Sequence, residues 1–126
     1  MPFIPESEIQ DYEILYRAIH PHHWEYDEDR PTSAAFKDKQ GGSTYRDGER
    51  PQEECLTFLL NGRENYGSCS IKAREAKSID VFLKPDKLEH NAYHSLILES
   101  EIKIHISNAK AKQLCRTSKV HSKPTL

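Results

Sequence analysis

The chain has 126 residues, a net charge of -2, 36% hydrophobic and 30% charged residues, which fits one globular domain and excludes a disordered polar chain. No apolar run approaches the ~20 residues that cross a bilayer, and the opening Met1-Pro2-Phe3-Ile4-Pro5-Glu6 lacks the regions of a secretion signal. Cys55, Cys69 and Cys115 are odd in number and widely spaced, so they form neither a disulfide framework nor a zinc knuckle, and the expectation is a reduced, cytoplasmic protein away from membranes.

Tyr12–Ile19 is the first apolar element. It alternates as a strand does at Tyr12, Ile14, Tyr16 and Ala18, and suits a helix at Ile9, Tyr12, Tyr16 and Ile19 behind Ser7-x-x-Gln10. Its aromatic and β-branched content favours the strand, and Pro21 ends either element. Residues 25–31 are acidic and read as a loop. Thr32–Lys37 and Ser43–Arg46 read as two short strands around the glycine-containing turn 38–42. Pro51 opens a helix that Asn61-Gly62 closes, with Cys55, Leu56, Leu59 and Leu60 on its apolar face. Ser70 is placed to cap a short helix through Lys77, and Ile79–Lys84 and Asn91–Leu98 read as strands. Ser107 caps a last helix over about 108–119. On its flank Lys112, Arg116 and Lys119 recur at helical spacing. The pattern predicts an α+β fold: a small mixed sheet of about five short strands packed with two or three helices. It forms a single domain over 1–126, with an ordered core over about 8–119 and a frayed tail over 120–126.

Charge is polarised. Residues 1–30 hold eight acids against Arg17 and Arg30, whereas residues 102–126 hold six bases and no acid. The two poles attract each other within the fold, or one of them serves a partner.

Strong chemical motifs are absent. The glycines match neither a dinucleotide fingerprint nor a P-loop, and no cofactor is indicated. His20-Pro-His22-His23 and His90-x-x-x-His94 are the histidine clusters. On a strand the second pair sits ~13 Å apart, too far for one metal, so no metal site is assigned. Cys69 with His94 as base is a candidate nucleophile, set against a purely structural thiol. Lys103-Ile-His105-Ile-Ser107 resembles one half of the paired motif of two-histidine phosphoesterases, and no second copy accompanies it.

Leu15-Tyr16-Arg17, Thr32-Ser33 and Glu99-Ser100-Glu101 are similar, in that order, to the R–S–ExE pattern of one class of ADP-ribosyltransferases. That resemblance implies Arg17 on the NAD phosphates, Ser33 in the cofactor site and Glu101 as the catalytic carboxylate. A broader resemblance rests on Leu15-Tyr16-Arg17-x-Ile19-His20-Pro21, Arg30-Pro31-Thr32-Ser33-Ala34-Ala35-Phe36-Lys37, Pro85 and Asn91-Ala92-Tyr93-His94-Ser95-Leu96-Ile97. Over roughly residues 12–118 the chain resembles an uncharacterised family of small soluble bacterial proteins, which implies a compact prokaryotic domain and carries over no activity.

The candidate catalytic residues are therefore Arg17, Ser33, His94 and Glu101, and the candidate binding residues are His20, Arg30, Lys112, Arg116 and Lys119. Three functions are expected: a non-catalytic accessory or binding protein beside a larger protein partner, a small enzyme acting on a nucleotide or nucleic acid, or a nucleic-acid-binding module built on the basic C-terminal helix. Arg17, His20, Arg30, Ser33 and His94 suit a phosphate or carboxylate ligand if folding gathers them.

Overall fold

A computed structural model describes residues 3–38 and 41–125. Leu126 and part of the turn predicted at 38–42 fall outside the described residues. The fold is α+β. Its strands are β1 (Ile14–Ile19), β2 (Trp24–Glu25), β3 (Arg30–Pro31), β4 (Gly42–Arg46), β5 (Gly67–Lys72), β6 (Phe82–Pro85), β7 (His94–Leu98) and β8 (Lys119–Ser122). The helices are α1 (Gln52–Leu60), α2 (Ala73–Ser78) and α3 (Asn108–Thr117). Six strands form the main sheet in the order β6-β7-β4-β1-β5-β8, and β2 and β3 make a separate ribbon. Every pairing is antiparallel, so the sheet is larger than the expected five strands and is not mixed.

β1 lies inside the sheet and is covered on both faces, which is why its sequence is almost continuously apolar. Leu15 and Ile19 join Cys69, Ile71, Leu83, Ile97, Ala111 and Leu114 in the main core under α2 and α3. Tyr16 points the other way and packs with Cys55 and Leu59 of α1.

Several elements depart from the expected reading. Thr32–Lys37 is not a strand, because Ser33–Phe36 forms a 3-10 turn. The Ala35 amide donates to Thr32 O, and Ala35 and Phe36 are buried in the main core. Ser70 caps nothing: it lies in β5, and α2 starts at Ala73 with Lys72 before it. Ile79 ends α2, so the following strand is only Phe82–Pro85. That strand is an edge, where a proline without an N–H is tolerated. Residues 91–93 form a turn before β7, with Asn91 Oδ1 accepting from the Tyr93 amide at 3.0 Å. The acidic loop 25–31 carries a short ribbon, in which Trp24 pairs with Pro31 and Glu25 with Arg30.

The predicted frayed tail is strand β8, paired with β5. Ser68 and Ser122 share a hydroxyl hydrogen bond at 2.7 Å, and Ser70 bonds His121 Nε2 at 2.8 Å. The Thr125 amide donates to Asn65 O at 2.9 Å. This docking requires glycine at position 67, where a Cβ would sit 2.6 Å from Ser122 O and 2.7 Å from Pro124 Cδ. Because the helix stops at Thr117, Lys119 belongs to β8 and the expected three-residue basic stripe is broken. Among the described residues the charge poles meet at one ion pair, Lys123 with Asp29.

Candidate functional site

The candidate residues do not form one cleft. They divide between two, and His94, Glu101 and Lys119 belong to neither.

The first cleft opens where β1 and β4 part. Their register pairs are Leu15 with Arg46 and Tyr16 with Tyr45, and beyond these the Arg17 side chain fills the gap. Its Nε donates to Ala35 O and its Nη1 to Ser43 O, both at 2.6 Å. Nη2 makes no hydrogen bond to a described residue. The cleft holds about 430 Å³ and is lined by Arg17, His20, His22, His23, Asp38, Arg63 and Tyr66 among others.

Local structure sets these groups. Pro21 starts a 3-10 turn over Pro21–His23, and His20 caps it. Its Nδ1 accepts from the His22 amide at 3.0 Å, so the proton of the neutral ring sits on Nε2. The His20 ring lies 4.6 Å from that of His22, 5.8 Å from His23 and 5.1 Å, edge-on, from Tyr66. Arg63 follows α1 and donates to Leu59 O at 2.6 Å, a cation at a helix C-terminus. Burial lowers the pKa of the Arg17 guanidinium, while Cys69 and Asp38 oppose that shift. Burial, then His20, Arg17 and His22, lower His23, and Asp38 acts against them.

The second cleft, of about 400 Å³, lies between the β2–β3 ribbon and α3. It brings together Arg30, Ser33, Lys112 and Arg116, four of the sequence candidates, with Glu25 and Glu28 on its rim. Arg30 is paired with Glu28 at 2.5 Å, so the charge here is mixed. Thr32 Oγ1, in the same wall, is buried with no hydrogen-bond partner. The Cys115 thiol donates to Thr32 O at 3.0 Å.

His94 is anchored by Asp86. Its Nδ1–H donates to Asp86 Oδ2 at 3.0 Å and Asp86 O at 3.1 Å, tying the loop before β7. It cannot serve Cys69, because β4 and β1 stand between β7 and β5. Burial also pushes the Cys69 thiol up to about 12 and the Cys115 thiol up to about 11, which disfavours the thiolate that attack would need. Glu101 is exposed in the loop after β7, whereas Glu99 accepts from the Ser107 amide at 2.8 Å and pairs with Lys110 at 2.7 Å. The R–S–ExE arrangement is thus not assembled.

Arg63, Tyr66 and Asp38 join the first cleft without a sequence signal, since they come from segments after α1 and before β4. No group of three or more His, Cys, Asp or Glu among the described residues is placed to hold a metal ion. No helix there is long and apolar enough to cross a membrane. No family model, curated protein or solved structure matches the chain.

The histidines make stability depend on pH. His23 and His121 both titrate below their ordinary value of 6.5, chiefly through burial. The unfolded chain then binds protons that the folded chain resists, so stability is full above 6.5 and is lost as pH falls through that value. Urea midpoints are expected to drop between about pH 7.5 and about pH 5.5, and His121→Gln is expected to flatten the drop. A midpoint that rises on acidification contradicts this account.

Proposed function

We propose that this protein binds a phosphate-bearing ligand of nucleotide size in the cleft at Arg17. The carrying observation is a contrast between two buried arginines. Arg46 is neutralised by Glu13, with Nε to Oε1 at 2.7 Å and Nη2 to Oε2 at 2.9 Å. Arg17 is held by two carbonyl oxygens instead, and no ion pair joins it to a carboxylate of the described residues. A buried guanidinium with no carboxylate bonded to it is costly; Asp38 acts on Arg17 through space, and an anion in the cleft adds a directly bonded partner. Arg63 and the His20 Nε2–H add donors, and a volume of about 430 Å³ suits a small molecule. The balance of two guanidinium groups and three imidazoles against one carboxylate, Asp38, favours an oxyanion over a cation.

Titration with inorganic phosphate or a nucleoside 5′-monophosphate is expected to shift the imidazole NMR signals of His20, His22 and His23 and leave those of His90 and His105 in place. Arg17→Ala is expected to weaken binding about tenfold to hundredfold, the cost of a charged hydrogen bond, while Arg17→Lys retains part of it. Unmoved cleft histidines at millimolar phosphate, or unchanged affinity in Arg17→Ala, overturn the reading.

A further inference from the structure

We propose that the same cleft cleaves single-stranded RNA by transfer of the phosphodiester to the neighbouring 2′-hydroxyl, with His23 as general base and His22 as general acid. This inference rests on the anion-binding reading and adds a reaction to it. Three imidazoles on one short turn exceed what binding a phosphate requires. Each has a different setting: His20 is tied to the turn by its Nδ1, His23 is half-buried beside it, and His22 is exposed at the rim.

These settings divide the chemical roles. His20 has only its Nε2–H to offer, and that group donates to a non-bridging phosphoryl oxygen alongside Arg17. Such aimed donors stabilise the charge that builds on phosphorus oxygens during displacement. His23 faces His20 and His22 on its own turn, Arg17 from β1 and Asp38 from before β4. Burial first, then His20, Arg17 and His22, lower its pKa against Asp38, which favours the neutral ring whose lone pair accepts a proton. His22 is exposed and open to solvent.

The step balances without a further reactant. His23 takes the 2′-hydroxyl proton, O2′ bonds to phosphorus, the P–O5′ bond breaks, and O5′ receives a proton from His22. The products are a 2′,3′-cyclic phosphate and a 5′-hydroxyl. The two histidines then exchange protons with water. A ribose is essential because the nucleophile is its own 2′-hydroxyl, which commits the substrate to RNA.

The test uses a fluorescent deoxyoligonucleotide with a single internal ribonucleotide, in EDTA, beside its all-deoxy twin. Cleavage at the ribonucleotide alone, leaving a cyclic phosphate by mass spectrometry, is expected. His22→Gln and His23→Gln are each expected to slow cleavage by about 10²–10⁴-fold, far more than they weaken binding of the twin. Arg17→Ala loses both binding and cleavage. His22 is exposed, so its variant folds even where His23→Gln does not. A bound twin with an uncleaved ribonucleotide ends this inference and leaves the anion-binding reading standing. Neither binding nor cleavage ends both. Cleavage undiminished in His22→Gln marks a contaminating nuclease and ends this inference.

Discussion

Glu13→Ala is expected to lower the unfolding free energy by about 3–5 kcal/mol, the cost of stripping one partner from a buried ion pair. Arg46 is 1% exposed and Glu13 5%. Beyond the two-bond contact with Glu13, Arg46 Nη1 donates to Pro5 O at 3.1 Å and Ser7 O at 2.9 Å. Glu13 Oε2 also accepts from the Gln10 amide at 2.6 Å. The pair therefore clamps residues 5–13 onto β4, and Arg46 in turn sits opposite Leu15 of β1. Without Glu13 the guanidinium remains in the interior with only carbonyl oxygens and the Ser7 hydroxyl as acceptors. Urea unfolding measures the loss. Lys77→Ala provides the contrast, since its partner Asp11 is 69% exposed and such pairs contribute less than about 1 kcal/mol. Equal effects of the two substitutions refute the clamp.

Phe36→Ala is expected to cost about 3–5 kcal/mol, as for other buried phenylalanines, and to weaken phosphate binding as well. Phe36 is 1% exposed and anchors the 3-10 turn in the main core. The Arg17 guanidinium carbon lies 5.8 Å from its ring centroid, and the preceding residue supplies the Ala35 oxygen that holds Arg17 Nε. Loss of the ring thus loosens both the core and the arginine. Leu83→Ala is the control: Leu83 belongs to the same core but to edge strand β6. It is expected to destabilise by about 2–5 kcal/mol without altering phosphate affinity, measured where each variant is folded. Matched losses of affinity in both variants contradict a local role for Phe36.

The elements legible in the sequence are those whose own residues carry the signal. β1 shows its aromatic and β-branched run, α1 its proline opening and leucine face, and α3 its Ser107 cap, which accepts from the Lys110 amide at 3.3 Å. β5 was illegible because Gly67-Ser68-Cys69-Ser70 has neither alternation nor bulk. Gly67 is required by the close approach of Ser122 and Pro124, a tertiary demand that local propensity does not express. β8 looked like a polar tail because serine and histidine hydroxyl and ring contacts, rather than apolar burial, fasten it. The 3-10 turn was mistaken for a strand, since a short Ala-Ala-Phe segment fits either until α3 packs on it.

The site was legible in part. Arg17 and His20 are close in sequence and do share a cleft, and Arg30 does meet Lys112 and Arg116 across the ribbon and α3. The grouping of His94 with Arg17 failed because His94 already has Asp86. Arg63 and Tyr66 were invisible because nothing in one dimension tells that the segment after α1 returns to β1.

The strand order has a kinetic consequence. Contacts that join β4 to β7 span 51 residues and those that join β5 to β8 span 54, so most seams of the sheet close only after long stretches of chain have been searched. Chains dominated by such distant pairings fold in roughly milliseconds to seconds. The β6–β7 hairpin is the nearest-neighbour seam and the natural place for assembly to begin. A nascent chain halted before Lys119 leaves one margin of β5 with unmated amides, an open template for self-association until the last strand arrives.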